Sequence, residues 1–415
     1  MKEDKTVPQL RFPEFTDAWK QRELGEIAER VTRRNSSLES QTPLTISAEY
    51  GLIDQNKFFG KRIAAKDLSN YYLIQKGEFA YNKSTSNDAP WGAIKRLDCY
   101  NNGALSTLYI VFKIKDNKSC YSDFLVTYYG TSLWHKEVKE IASEGARNHG
   151  LLNVSPSDFF RTKLVIPQDF EEQRKIGAFF TQLDNTITLQ QRKLNSLQKL
   201  KKGLLQKMFP KKGENIPEIR FPEFSDAWKQ RKFGDVLVSI QTGTNKLGSD
   251  RNSGQPLLKM GNLQSGYFDL SKLEFLENKA EPENIVKQGD FFFNTRNTLE
   301  LVGKGATWFG ESNKYAFNSN IARFTLKDIN TGFFNYLYNT NYVKKQIRAR
   351  AMGTTSVAAI YPRSLKSVDI VIPNMEEQIK LSNLFMNLDS TITLQQRKLE
   401  SLQKLKKGLL QQMFI

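Results

Sequence analysis

The sequence has no long hydrophobic run and few residues that could build disulfides. None of its 415 residues belongs to an apolar stretch approaching the roughly 18 residues of a membrane-spanning helix. The N-terminus lacks an apolar signal region. Cys99 and Cys120 make no disulfide framework and no CxxC motif, and are interpreted as reduced core residues. These absences indicate a soluble, cytoplasmic globular protein with no membrane partner.

Catalytic motifs are also missing. The two histidines, His135 and His149, lack metal-ligand spacing. There is no GxxxxGK[ST] phosphate loop and no Asn-Pro-Pro-aromatic motif of amino-methyltransferases. The Glu-x-Lys half of a nuclease motif occurs at 137–139 and 277–279, but matches this short arise by chance. We therefore expect no catalytic residue, no metal site and no cofactor in this chain.

Acidic residues are in deficit. Lysine and arginine total 61 against 44 aspartates and glutamates, so the formal net charge is +17. A charge this basic favours a polyanionic partner such as nucleic acid. A basic surface without a ligand is the alternative on charge alone.

The chain is an internal duplication. The segment 11–22 returns at 220–231 with eleven of twelve positions identical, and 183–209 returns at 388–414 with 24 of 27 identical. The regions between these blocks diverge. A repeat of about 200 residues is a duplicated domain and not a solenoid, whose units run about 20–50 residues. If a twofold axis relates the halves, the two ends of the chain should lie close together.

The repeats divide the chain into six segments. The expected boundaries are a repeated segment at 1–22, a variable domain at 23–166, a long helix at 167–210, a linker with the repeated segment at 211–231, a second variable domain at 232–372 and a second long helix at 373–415. The fold class is therefore α+β, with two mixed α/β domains joined by two long antiparallel coiled-coil helices in a pseudo-twofold duplication.

Both long helices have helix-start signals and a heptad pattern. Asp169 and Asn374 are predicted N-caps, and Glu172 and Glu377 follow three residues later as in a capping box. Apolar residues recur in a heptad, which predicts a coiled-coil seam. The first helix places these seam residues at Ile176, Phe180, Leu183, Ile187, Gln190, Leu194, Leu197, Lys201, Leu204 and Met208, and the second helix repeats them 205 positions later.

Each seam contains one glutamine at its midpoint. Gln190 and Gln395 should face each other if the two helices pair symmetrically and antiparallel. A buried polar pair in an apolar seam fixes register at some cost in stability. The lysines near the helix ends are interpreted as partners of the other helix's acidic start, not as a DNA site.

The variable domains have a β bias. Strands are predicted at 108–114 and 290–294, and short helices at 121–141 and 332–348. Loops at 82–87, 145–150, 294–298 and 353–356 are rich in groups that suit base edges and phosphates. The candidate DNA-binding residues are Lys83, Ser84, Asn87, Arg147, Asn148, Arg296, Asn297, Thr354 and Thr355. Solvated turns are the alternative for each of them.

The motifs of both halves resemble type I restriction–modification specificity subunits. The resemblance is carried in the first half by Ile166-Pro167, the Glu172–Ile176 run, Leu183-Asp184 and Ile187. The counterparts in the second half are Ile372-Pro373, Glu377-Gln378, Leu388-Asp389 and Ile392, and this half departs from the family pattern at Leu381 and Leu384. The Lys-Gly-Glu and Gln-Gly-Asp entries to a strand also resemble the family. The resemblance covers essentially the whole chain. It implies that each variable domain is a target recognition domain for double-stranded DNA, and that the helices separate the two.

The resemblance also implies partner subunits. Two methyltransferase subunits would use S-adenosylmethionine to methylate adenine, and motor-nuclease subunits would use ATP and Mg²⁺. This chain would supply sequence reading and assembly. Three other readings stay open at this point: a nuclease with an unrecognised site, a scaffold whose domains bind protein, and an RNA-binding protein, although no RNP-type aromatic motif occurs.

Overall fold

The computed structural model describes residues 7–47, 50–116, 119–142, 150–251, 253–354 and 356–415, and divides the chain into two compact units. The first unit contains Met1–Gln191 and Lys398–Ile415, and the second contains Arg192–Arg397. The end of the second long helix therefore belongs to the first unit, and the end of the first long helix to the second.

In the first unit the strands are β1 (Lys20–Glu23), β2 (Ala28–Arg30), β3 (Leu44–Ser47), β4 (Gly51–Asp54), β5 (Tyr72–Gln75), β6 (Phe79–Asn82), β7 (Ala93–Arg96), β8 (Asn102–Leu105), β9 (Ile110–Ile114) and β10 (Lys163–Ile166). The helices are α1 (Leu24–Ile27), α2 (Gln55–Phe59), α3 (Ser122–Tyr129), α4 (His135–Ile141), α5 (Pro156–Phe160) and α6 (Phe170–Lys207), which continues into the second unit.

In the second unit the strands are β11 (Lys229–Lys232), β12 (Leu237–Thr242), β13 (Gln255–Leu258), β14 (Glu274–Leu276), β15 (Phe291–Asn294), β16 (Arg296–Asn297), β17 (Gly305–Thr307), β18 (Ala316–Phe317), β19 (Ile321–Leu326), β20 (Met352–Gly353), β21 (Ala358–Ala359) and β22 (Asp369–Ile372). The helices are α7 (Phe233–Val236), α8 (Thr331–Tyr338), α9 (Asn341–Arg348), α10 (Pro362–Leu365) and α11 (Met375–Met413), with a 3₁₀ turn at Pro282–Asn284.

A four-stranded antiparallel sheet lies at the centre of each unit. The strand order is β2-β9-β6-β7 in the first unit and β12-β19-β15-β17 in the second. Side chains alternate between the two faces of a strand. Phe291 and Phe293 accordingly pack in one core, and Phe292 packs in another on the opposite face. The sheet is therefore covered by apolar side chains on both faces, which explains the run of three phenylalanines.

The secondary-structure predictions for the variable domains are largely confirmed. The strands predicted at 108–114 and 290–294 occur as β9 and β15. Each predicted helical region forms two short helices, α3 with α4 and α8 with α9. The prediction for Cys99 was wrong, because its side chain is exposed and only Cys120 is buried.

The two long helices begin as predicted, but their glutamates act differently. Asp169 accepts a hydrogen bond from the Glu171 amide at 2.7 Å, and Asn374 accepts one from the Glu377 amide at 2.9 Å. The predicted capping boxes are wrong. The Glu172 carboxylate instead accepts two hydrogen bonds from Arg11, at 2.6 and 2.7 Å.

The same arginine–glutamate pair occurs in the second unit. The Arg220 guanidinium donates two hydrogen bonds of 2.8 Å to Glu377. The side chains of Glu172 and Glu377 are 0% and 1% exposed, so each carboxylate depends on its arginine for charge compensation. In each unit the repeated segment, 11–22 or 220–231, is thus bound through its arginine to the start of the long helix in the same unit.

Within each unit the two long helices run antiparallel. In the first unit Phe180 packs against Phe414 with ring centroids 6.0 Å apart, and Asp184 forms an ion pair with Lys406 at 2.5 Å. In the second, Phe209 lies 5.9 Å from Phe385. An ion pair joins Lys201 to Asp389 there. Advancing along one helix means going back along the other, which confirms the antiparallel prediction.

The heptad seam is confirmed along both helices. All twenty predicted seam positions are buried or half-buried. The seam lysines Lys201 and Lys406 are tolerated because each pairs with an aspartate of the other helix. Gln190 and Gln395 lie in different units, and each has a buried side-chain oxygen without a hydrogen-bond partner in the described part of the chain. Their mutual contact stays a prediction.

The N-terminal segment contacts the end of the second long helix. The Leu10 amide donates to the Gln412 carbonyl at 3.0 Å, and Trp19 packs against Phe414. The segment around Leu10 and the end of the second long helix therefore lie close together in the first unit, as the predicted proximity of the two ends requires. The second unit has the equivalent contact, in which the Ile219 amide donates to the Lys207 carbonyl at 2.9 Å.

Candidate nucleic-acid interface

In the first unit the loop after β6 lies beside the chain at residues 150–154. The Thr85 amide and hydroxyl both donate to the Gly150 carbonyl, at 2.7 and 3.0 Å, and Ser84 forms a bridge with Leu151. The structure therefore brings the predicted loop at 82–87 next to the end of the predicted loop at 145–150. Arg147 and Asn148 lie outside the described residues.

The three described candidates of this loop differ in exposure. Ser84 and Asn87 are exposed, whereas Lys83 is half-buried and donates to the Val154 carbonyl at 3.3 Å. Burial, and secondarily the charge of Arg30, lowers the pKa of Lys83. Ser84 and Asn87 can therefore offer hydrogen bonds to a ligand directly, while Lys83 also holds the loop to the neighbouring chain.

In the second unit a small antiparallel sheet joins the corresponding loops. The strand order is β16-β21-β20, in which Arg296 pairs with Ala359 and Asn297 with Ala358. The hairpin between β20 and β21 carries Thr354, whose hydroxyl accepts from the Val357 amide at 3.2 Å. Thr355 is outside the described residues. Two loops predicted separately from the sequence thus form one surface.

Arg296 is held by its backbone and exposes its side chain. Its amide donates to the Asn294 side-chain oxygen at 3.0 Å, and Asn294 itself is fully buried. The guanidinium forms no ion pair with a carboxylate in the described ranges. The Asn297 oxygen accepts from the Thr298 amide at 2.8 Å, which leaves its amino group available. These groups match the donors that read base edges in a DNA groove.

The asparagine that ends the central strand anchors the loop in both units. The side-chain oxygen of Asn82 accepts from the Ser84 amide at 3.0 Å, as that of Asn294 does from Arg296. The sequence carries a signal for this role, because both halves end the same aromatic strand with an asparagine. The pattern alone does not show that the asparagine side chain bonds the backbone of the loop.

Two residues of chemically reactive types, Glu137 and Cys120, have structural roles in the first unit. Glu137, in the first Glu-x-Lys match, accepts from the Lys163 amide at 2.9 Å. Burial raises the pKa of the Cys120 thiol to about 12. Among the described residues, no three histidine, cysteine, aspartate or glutamate side chains are grouped so that they could hold a metal ion. In the same part of the chain, no helix is both long and apolar enough to cross a membrane.

Comparison with known proteins assigns the chain to a family. The family described as "Type I restriction modification DNA specificity domain" matches at residues 16–199 and again at 225–404. These two matches cover most of the chain, and they coincide with the two halves of the duplication. The chain belongs to this family of specificity subunits, and its role is DNA recognition without catalysis.

Individual relatives agree with this assignment. The MjaVIII type I restriction enzyme specificity subunit of Methanocaldococcus jannaschii is 23% identical over 71% of this chain and 70% of its own length. The putative MjaX specificity subunit of the same organism is 21% identical over 96% and 93%. The crystal structure of a type I restriction–modification S subunit from M. genitalium is 12% identical, with a TM-score of 0.64 over 99% of both chains. The last likeness shows a shared fold.

Proposed function

We propose that this chain reads a bipartite, asymmetric DNA sequence, with each unit reading one half. The proposal is supported by a contrast between two parts of each unit. The frame, which consists of the repeated segments 11–22 and 220–231 and the long helices α6 and α11, is nearly the same in both units, whereas the loops differ. The arginine–glutamate pair and the seam ion pair are the same in both units. The loops that follow β6 and β15 differ in sequence. Two equivalent frames with different reading loops should recognise two different short sequences.

We assign the reading surface to the loops described above. The proposed DNA-binding residues are Lys83, Ser84, Asn87, Arg147, Asn148, Arg296, Asn297, Thr354 and Thr355. Arginine can bond guanine bidentately and asparagine can bond adenine, whereas lysine, serine and threonine suit phosphates or several bases. The domain limits predicted from the repeats, 23–166 and 232–372, are the proposed limits of the two recognition domains.

The long helices are the proposed scaffold for partner subunits. In the first unit Leu189 and Leu405 are 64% and 52% exposed, and in the second Leu394 and Leu200 are 63% and 49% exposed. Single exposed leucines are common on protein surfaces, and it is their repetition that favours a shared binding surface. They are repeated at equivalent positions, which fits two copies of one partner.

The partners inferred from the family are two methyltransferase subunits and motor-nuclease subunits. The methyltransferases would use S-adenosylmethionine, and the motor-nucleases ATP and Mg²⁺. These cofactors would bind to the partner subunits and not to this chain. The complex would act in the cytoplasm, where the cell's DNA is available to it.

Methylome sequencing tests the proposal. Cells carrying this chain with its methyltransferase partner should show one new methylated motif, made of two different short sequences separated by a gap without base preference. Cells with the methyltransferase alone are the control and should lack the motif. A single continuous motif, a palindrome or no new motif would contradict the proposal. Cleavage of DNA by the purified chain with Mg²⁺ would instead favour the nuclease reading.

A further inference from the structure

The second unit contains a basic cavity that the assignment of reading loops does not use. Its volume is about 160 Å³, and it lies between the segment Glu300–Lys304 and helix α9. Three cationic residues line it, Lys304, Lys344 and Arg348, against one acidic residue, Glu300. The cavity therefore carries an excess of positive charge.

The cations of this cavity have no acidic partner among the residues that the structure describes. Lys304 donates to the Gln264 side-chain oxygen at 2.6 Å, which is a neutral acceptor. Neither Lys344 nor Arg348 forms an ion pair within the described ranges. Burial, and then the charge of Arg348, lowers the pKa of Lys344. An anion in the cavity would give these cations a partner of opposite charge and would favour the protonated form of Lys344.

The packing of the segment Glu300–Lys304 against α9 places these cations close together. Gly303 has φ +81°, and a side chain there would come within 3.0 Å of Ile347 and Ile360. This close approach sets Lys304 beside the helix that carries Lys344 and Arg348.

The cavity adjoins both segments of the proposed reading surface. The Lys304 carbonyl accepts from the Asn294 amide at 2.8 Å, two residues before Arg296. Arg348 ends α9, and β20 begins at Met352. Since half to two-thirds of protein–DNA hydrogen bonds go to phosphates and sugars, a phosphate site next to base-reading groups is the expected arrangement.

The cavity is specific to the second unit in at least one residue. In the first unit the position opposite Asn82 is occupied by Ala93, whereas Lys304 is opposite Asn294. An effect of this cavity should therefore concern only the half-site that the second unit reads.

We propose that Lys304, Lys344 and Arg348 together bind one phosphate group of the DNA backbone beside the half-site read by the second unit. This inference rests on the proposed function and adds a positioning contact to it. The contact fixes the second unit on the duplex and carries no base preference of its own.

The test uses the full chain assembled with its methyltransferase partners and a duplex containing its methylated motif. The variants are Lys344→Gln and Arg348→Gln, and the control is Lys345→Gln, which neutralises an exposed neighbour on the same helix outside the cavity. Each cavity variant should lower the slope of log affinity against log salt by about one unit, with all target sequences weakened alike. The double variant should lose little more, because both residues bind the same phosphate. The control should match the wild type.

A neutral methylphosphonate placed at single backbone positions identifies the ligand. At one position flanking the second half-site it should weaken wild-type binding and leave the Lys344→Gln variant unaffected, which also separates DNA phosphate from free phosphate. Equal losses for Lys345→Gln and Lys344→Gln, or a Lys344→Gln variant that binds like the wild type, would overturn the inference. If Lys344→Gln unfolds at a lower temperature than the wild type, the Arg348→Gln variant provides the test, because Arg348 is exposed and its replacement should not disturb the fold. A wild-type complex without preference for its motif would overturn the proposed function instead.

Discussion

Arg296 differs from Arg11 and Arg220 in having no acidic partner in the described part of the chain. Arg11 and Arg220 form ion pairs with buried glutamates, and Arg323 of strand β19 forms one with Asp290 at 3.2 Å. An exposed, unpaired guanidinium at the end of a short strand keeps its five donors for a ligand. Among the candidate residues that the structure describes, it is therefore the one best suited to base reading.

Replacing Arg296 by alanine should relax specificity at one base pair. Loss of a base-reading arginine costs about 1–3 kcal/mol on the preferred target and less on a target already altered at that position. The measurement is binding of the assembled complex to duplexes in which each base pair of the motif is changed in turn. The Lys344→Gln variant is the comparison, since it should weaken every duplex equally. A uniform loss for Arg296→Ala would mean that Arg296 binds phosphate.

Single residues were predictable from the sequence where local rules determine them. The caps Asp169 and Asn374 follow from helix-end chemistry, which involves only neighbouring residues. The role of Glu172 was not predictable in the same way, because its partner Arg11 is 161 residues away in the chain. The burial of Cys99 was mispredicted for a similar reason, since a cysteine alone gives no signal of which face of a loop it occupies.

At the scale of elements, the long helices were predictable and the loop sheet was not. A heptad is a repeated local signal, so its seam can be read from one helix alone. The pairing of β16 with β21 joins two-residue strands about sixty positions apart, and strands this short have no periodicity to detect. The sequence therefore indicated which loops carry suitable groups, but not that they form one surface.

The seam glutamines should be replaceable by leucine with a gain in stability. Gln190 and Gln395 each leave a buried oxygen without a partner among the described residues, and an unsatisfied buried acceptor costs about 1–3 kcal/mol. The double variant Gln190→Leu/Gln395→Leu should therefore unfold at a higher temperature. The cost should be a less defined helix register, because polar seam residues specify register.

Exposed glutamines at equivalent positions provide the control for that variant. Gln198 and Gln403 lie outside the seam and are exposed in both helices. Changing them to leucine should leave the unfolding temperature nearly unchanged. A seam variant that is less stable than the wild type would show that these amides are satisfied in the folded protein.

At the scale of the whole molecule, the duplication predicts a target whose halves can be exchanged separately. Replacing residues 28–160 by the corresponding domain of another specificity subunit should change one half-site and keep the other half-site and the gap. The frame that carries the exchanged domain, including Arg11, Glu172 and the seam, would remain. Methylome sequencing of the exchanged chain with its methyltransferase checks this, and a change in both half-sites would contradict it.

The length of the two helices should set the gap between the half-sites. Helices α6 and α11 have 38 and 39 residues, hence about 57–58 Å each. This exceeds the ~34–36 Å of one DNA turn, so half-site centres about 10 bp apart on one side of the duplex can be reached. Inserting three heptads into each helix keeps the seam in phase and adds about 32 Å. Since base pairs rise about 3.4 Å, the methylated motif should keep both half-sites and lengthen its gap by about nine base pairs, close to one turn, so that both half-sites stay on the same side of the duplex. An insertion of only two residues in each helix is the control, because it turns the seam by about 200° and should abolish methylation. An unchanged gap after the heptad insertion would mean that the helices do not measure the distance between the half-sites.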